Sequence, residues 1–112
     1  YEAWAPDLAT AVYDQNGYQI PCYAWLDQSG KVRCEVRSFY DYYGLTLVGT
    51  GPDNLKVKYQ DRLIDLTLPI YDCNLTLEGW FTRGNIRGLA TAIGLNLTYI
   101  GFPDHAEIHL KG

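Results

Sequence analysis

The sequence lacks a basic cluster and a long apolar run. Its nine Lys and Arg stand singly against thirteen Asp and Glu, for a formal net charge of −4. Without a basic stripe there is no electrostatic footprint for nucleic acid, and an anionic membrane surface is an equally poor partner. No stretch approaches the roughly 20 apolar residues that span a bilayer, so no membrane insertion is expected. Histidine is confined to His105 and His109, and the sequence contains no GxSxG, HExxH, P-loop or GxGxxG motif. Cys22, Cys34 and Cys73 form no CxxC pair and no His stands at zinc-finger spacing, which argues against a structural zinc site. No signal peptide is visible; because the numbering begins at Tyr1, the chain reads as an excised piece of something longer.

What is present is aromatic. Ten Tyr, three Trp and three Phe exceed what a core of this size absorbs easily. Tyrosine suits half-buried strands and binding faces alike, since it offers contact area with a polar tip. Cys22 and Cys34 fall on the two arms of one apparent hairpin. A three-residue loop at Asp27-Gln28-Ser29 sets them opposite each other, and other registers separate them; a bridge and a pair of buried free thiols are the two readings, the second favoured.

The strongest signal is self-similarity. The segment from Val36 to Leu47 aligns without gaps on that from Ile86 to Leu97, with Arg37/Arg87, Gly44/Gly94 and both Leu residues identical. Val36, Phe39, Tyr40 and Tyr43 fall on Ile86, Leu89, Ala90 and Ile93, the i, i+3, i+4, i+7 spacing of one helix face. A Gly follows each helix, where a left-handed C-cap is wanted. Each helix is then followed by an alternating strand (Leu45–Val48, Leu95–Thr98), a turn (Gly51-Pro52-Asp53, Gly101-Phe102-Pro103-Asp104) and a second strand (Leu55–Lys58, Ala106–Leu110). Upstream, unit one has an Asn16-Gly17 hairpin turn, a strand from Tyr18 to Leu26, a turn at Gln28-Ser29-Gly30 and a strand from Lys31 to Val36. Unit two has a turn at Gln60-Asp61, a strand from Arg62 to Leu68 ended by Pro69, and a short strand around Thr76 to Trp80. Residues 1–9, with Trp4, Pro6 and Asp7, read as a short helix or a strap. The expectation is an α+β fold, a mostly antiparallel sheet with two short helices, from duplication of a β-β-α-β-β unit (about 10–58 and 60–110). A helix of two or three turns cannot bury its stripe alone, so both units are expected to share one core in a single domain, 1–112.

The blocks at 37–47 and 87–97, each an Arg-x-x-aromatic/Leu-x-x-x-hydrophobic-Gly-hydrophobic-x-hydrophobic run, each preceded by an NG- or QD-type hairpin and followed by an Asp-containing turn, resemble the copper amine oxidase N-terminal-like (stalk) domain. That family occurs duplicated in secreted and cell-wall-associated bacterial proteins and in phage lysins, and the likeness covers nearly all of residues 10–110. The chain departs from it in having Glu35 and Asn85 where a Pro is usual, and Tyr40 and Tyr43 where small or aliphatic residues are usual. The resemblance implies a non-catalytic accessory module, extracellular or cell-wall associated and bacterial or phage-encoded, and licenses neither copper nor an oxidase. No cofactor is expected.

Candidate sites are few. As a strand, residues 105–109 put His105, Glu107 and His109 on one face and Ala106, Ile108 and Leu110 on the other. A metal reading competes there with the solvent face of a terminal edge strand, and the second is favoured, so no metal site is assigned. The carboxylates are scattered and nothing nominates a facing pair, so no catalytic residue is assigned. Arg37 and Arg87 read either as paired anion contacts or as structural fasteners that pin each helix start to a nearby carbonyl or carboxylate; repetition favours the fasteners. The binding candidates are Tyr42, Trp80, Trp25 and Tyr40, as aromatic platforms for sugar rings or partner surfaces, with core or rim packing the competing reading for each. Tyr42 falls on the polar side of its helix. The sequons Asn74-Leu75-Thr76 and Asn96-Leu97-Thr98 read as chance. The functional expectation is an envelope- or peptidoglycan-binding accessory domain or spacer, the partner being cell-wall glycan or peptidoglycan. The alternative is a protein-interaction or homo-oligomerisation module.

Overall fold

The two apolar stripes ended by glycine become two matched helices. A computed structural model describes residues 8–27, 29–49 and 51–112. The chain runs β1 (Leu8–Tyr13), β2 (Ala24–Leu26), β3 (Val32–Glu35), α1 (Val36–Tyr42), β4 (Thr46–Val48), β5 (Lys56–Tyr59), β6 (Arg62–Asp65), a turn of 3-10 helix (Pro69–Tyr71), β7 (Thr76–Glu78), β8 (Phe81–Asn85), α2 (Ile86–Ala92), β9 (Asn96–Gly101) and β10 (Ala106–Lys111). Both helices end alike. Gly44 and Gly94 adopt φ of 74° and 83°. The Gly44 amide donates to Asp41 O and the Leu45 amide to Tyr40 O; Gly94 and Leu95 repeat this on Thr91 and Ala90. These are two Schellman caps, and they satisfy carbonyls that a helix end otherwise orphans.

The fold is α+β, with mostly antiparallel pairing, as expected. A seven-stranded sheet has the order β7-β8-β3-β2-β1-β10-β9, and β4-β5-β6 form a second sheet. Among the described residues the one parallel ladder joins β1 to β10. The two repeat units meet along β3 and β8, where Arg33 pairs with Asn85, Cys34 with Gly84 and Glu35 with Arg83. Repeat-equivalent residues stand fifty positions apart, as Val36 and Ile86 do. The ladder is therefore symmetric about the Cys34–Gly84 pair, and a local two-fold axis passes through it. An axis normal to the sheet keeps both helices on one face. There the Tyr40 hydroxyl donates to Leu89 O at 2.9 Å. Val36, Phe39 and Tyr40 from α1, Ile86 and Leu89 from α2, Val57 and Ile64 from the small sheet, and Leu55 just before it lie in one buried cluster, so both units feed one core.

Several local expectations are corrected. The strand expected from Tyr18 to Leu26 narrows to Ala24–Leu26; Pro21 has no amide to donate and the Cys22 amide turns back onto Ile20 O. β6 stops at Asp65, whose carboxylate accepts the Thr67 amide and hydroxyl. Strand β8 was not expected. Of residues 1–9, Leu8 and Ala9 open the strand Leu8–Tyr13 instead of a helix or strap, and the rest of that expectation, on residues 1–7, lies outside the described residues, as does Gln28 of the 28–30 turn. The β10 strand lies between β1 and β9, so it is not an edge. Cys34 stands opposite Ala24, not Cys22, and all three cysteines are free thiols.

Gly88 marks the closest packing of α2. A Cβ there would lie 2.3 Å from Tyr71 O and 3.0 Å from Cys73 Sγ, so only glycine lets the 3-10 turn lie against the helix. Gly94, by contrast, has nothing within 4 Å of its would-be Cβ and is required for its φ alone. In urea unfolding, Gly94→Ala is expected to cost about 1 kcal/mol through left-handed strain. Gly88→Ala is expected to cost roughly 2–3 kcal/mol through overpacking against backbone. Equal costs would show that the 3-10 turn yields freely to the added methyl.

Candidate functional site

Trp80 owes its position to the turn that carries it. Glu78 pairs with Phe81, leaving Gly79 and Trp80 as a two-residue hairpin loop. Gly79 has φ of 65° and Trp80 is not at positive φ, the pattern of a type II′ turn with glycine first. The indole at the second position projects from the tip and is 93% exposed, beside the exposed Phe81 and Leu77. Behind it a recess of about 70 Å³ is lined by Glu35, Arg37, Leu47 and Thr82, among others.

The other three aromatic candidates do not join it. Tyr40 is fully buried between the helices, and Trp25 is 6% exposed. The Trp25 ring stacks on Tyr23 and lies 5.0 Å beneath the Arg83 guanidinium. Cation–π packing thus withdraws this ring from solvent, in line with the core or rim reading. Tyr42 is 38% exposed, but its hydroxyl donates to Asp14 at 2.6 Å, which ties the end of α1 to the first hairpin. That same bond leads the causes that hold Asp14 below the usual carboxylate range. Trp80, near the start of the helix, therefore stands apart from Tyr42 at its end.

Among the described residues the repeated arginines pin nothing. Arg37 and Arg87 are exposed, and neither guanidinium has a hydrogen-bond or salt-bridge partner among the described residues. Both occupy the second helical position on the solvent side. At the start of α1 the Glu35 carboxylate takes the Ser38 hydroxyl instead. The bolt between the units is a residue that the sequence did not single out. Arg33, 5% exposed, donates to Thr76 Oγ1 at 2.6 Å and to Asn85 Oδ1, Glu78 Oε2 and Arg83 O at 3.3 Å each. All four partners belong to the second unit. Arg83 shares Glu78 at 3.5 Å.

On the outer face of β10 the alternation holds as expected. His109 Nε2 lies 3.1 Å and His105 Nε2 3.6 Å from the Glu107 carboxylate, while His105 Nδ1 meets Asp104 at 2.7 Å. The rings stack on Tyr13 and Phe102. No cluster of metal-ligating groups is found among the described residues. The Asp104 hydrogen bond, ahead of Glu107, raises the His105 pKa above its ordinary value.

A second concavity is much larger. A cleft of about 760 Å³ lies between β2–β3 on one side and β9–β10 on the other, walled by α2 and the 3-10 turn. Neither it nor Arg33 has a signal in the sequence, because their residues meet only through strand pairings.

Two measurements test these assignments. Removing one partner of a buried ion pair typically costs roughly 3–5 kcal/mol, and Glu78 keeps Arg83 and solvent, so Arg33→Met is expected to cost about 3 kcal/mol. An Arg33→Met, Glu78→Gln double variant should then lose less than the two single losses added, and strict additivity would show that the pair is not coupled. By NMR titration His105 should show a midpoint above its ordinary 6.5, falling in Asp104→Asn. Because the folded pKa is raised, the linked stability is complete below the unfolded pKa and is lost as pH rises through the folded one. An unshifted His105 would remove the Asp104 bond in solution.

No protein-family model matches the chain, and comparison with curated proteins and with solved structures likewise finds no match. What the domain does is to be read from its own surfaces.

Proposed function

We propose that this is a non-catalytic accessory domain of an extracellular or cell-wall-associated protein, which meets wall glycan or peptidoglycan through an aromatic surface centred on Trp80. The observation that carries the reading is the 93% exposure of that indole on a short hairpin. A large aromatic ring held in water by a rigid turn, with Phe81 beside it, offers a flat apolar face to the C–H face of a sugar ring. Glu35 and Arg37 at the adjoining recess supply acceptors and donors suited to hydroxyl groups. The resemblance of the repeated blocks to the copper amine oxidase N-terminal-like domain supports the same reading. Net charge of −4 and scattered cations speak against nucleic acid. No helix among the described residues is long and apolar enough to cross a membrane.

A second reading, a protein-interaction or homo-oligomerisation module, is favoured by β7. It is a three-residue strand at the edge of the sheet, with no second strand partner among the described residues, and Leu77 on it is 60% exposed.

The test is retention on purified Gram-positive cell walls. The parent domain is expected to sediment with the walls, Trp80→Ala to lose roughly tenfold in affinity, in line with a central aromatic contact, and Tyr42→Ala to be retained like the parent. A Trp80→Ala domain retained as well as the parent would overturn the aromatic surface. A parent that is not retained, but whose mass rises with concentration in sedimentation velocity, would replace the glycan reading with the second.

A further inference from the structure

The geometry points to the 760 Å³ cleft as a second binding site, for an amphipathic carboxylate: a molecule with an extended apolar body and one anionic head. The cleft follows from the fold. Strands in a sheet stand about 4.8 Å apart, so the sheet face from β3 to β9 is about 19 Å wide. The helix α2 has seven residues and a width of roughly 10 Å, which cannot cover that span. The strip that no described element covers is part of the inner face of the sheet, where the strands contribute apolar side chains. Leu26 and Val32, opposite each other on β2 and β3, form one side, and Leu97 and Ile108 on β9 and β10 form the other. The volume lies within the range of roughly 300–1,000 Å³ that small-molecule sites occupy.

The mouth is polar and its charge has one sign in excess. Lys31 and Arg87 line it with Asp72 as the only carboxylate among the described residues, in a protein whose net charge is −4. The Lys31–Asp72 pair is 3.9 Å apart and exposed on both sides, so it neutralises little. Arg87 has no acceptor among the described residues. Of the uncharged polar side chains that line the cleft, Asn85 is engaged by Arg33 and by Asp72 O, and the Thr91 hydroxyl by Arg87 O. An apolar strip ending at an unengaged guanidinium selects an apolar body with an anion at one end. The planar fork of Arg matches a carboxylate in two parallel hydrogen bonds. The site is distinct from the Trp80 surface, and none of its lining residues belongs to the recess there.

The probe is decanoate below its micelle concentration, titrated into the full ¹⁵N-labelled chain. Saturable shifts are expected at the amides of Leu26, Val32, Gly88 and Leu97. Decyltrimethylammonium, with the same body and the opposite charge, should bind at least roughly tenfold more weakly. Arg87→Gln should weaken decanoate by about tenfold with the rest of its spectrum preserved, and Arg62→Gln, on the second sheet, should bind as the parent does. The proposal is overturned by unsaturable shifts, by shifts that map to Trp80 and Phe81, by equal affinity for the cationic amphiphile, or by an Arg87→Gln variant that binds decanoate like the parent. A domain that fails on cell walls but binds decanoate in this pattern would lose the glycan reading and keep this site.

Discussion

The structure depends on one ladder, the antiparallel pairing of β3 with β8. Each unit alone has two hairpins and a two-turn helix, too little apolar surface to stand by itself. Joining the units edge to edge turns two incomplete faces into one sheet, and the local axis at Cys34–Gly84 brings both helices to the same side. The ladder is only three pairs long, and its own hydrogen bonds would be a weak link. Arg33 reinforces it by engaging Thr76, Glu78, Arg83 and Asn85, all across the junction. A buried arginine is costly unless every donor is used, so its net contribution to stability is modest. What it fixes is register: a slip of one residue would point Arg33 into the core and Cys34 toward solvent.

The duplication is broken where the halves differ in length. In unit one the β2–β3 connection runs from Asp27 to Lys31, closed by the Asp27 amide on Lys31 O. In unit two the matching connection is Gly79-Trp80 alone. The long loop leaves Lys31 at the mouth of the cleft, and the short one pushes an indole into solvent. The downstream halves differ as well. After α1 the chain makes its own three-stranded sheet, whereas after α2 it adds β9 and β10 to the main sheet through the parallel ladder with β1. Only the second arrangement makes the main sheet wider than its helix. The cleft and the exposed hairpin both come from departures from symmetry.

Much of the fold was legible because the helices and their caps are local. Phe39, Tyr40, Leu89 and Ala90 declare a buried stripe by spacing, and Gly44 and Gly94 declare its end. The hairpin turns were also legible: Gln60 and Asp61 take φ of 51° and 63°, as a type I′ turn requires. Strand β8 was not legible, because Phe81-Thr82-Arg83-Gly84-Asn85 carries no apolar alternation. Gly84 is small because a Cβ would lie 2.8 Å from Cys73 O, and Arg83 and Asn85 face the Arg33 network. Those constraints come from residues distant in sequence. Of the four aromatic candidates, composition showed that some must be exposed but not which; Arg83 over Trp25 and the turn under Trp80 decided it.

The two repeated arginines show what the duplication kept and what it left free. A residue identical in both copies invites the inference that both perform one task, and for Gly44 and Gly94 that inference is correct, since each closes the same cap. Arg37 and Arg87 share no such contact among the described residues. Both stand on the exposed side at the second helical position, but their surroundings differ: Arg37 borders the small recess behind Trp80, and Arg87 borders the wide cleft. A helix position fixes where a side chain points and not what it meets, because what it meets is supplied by the strands on either side. Those strands are where the two halves depart from each other. Identity at 37 and 87 is therefore compatible with two different ligands, a sugar hydroxyl at one and a carboxylate at the other, and a guanidinium can serve either.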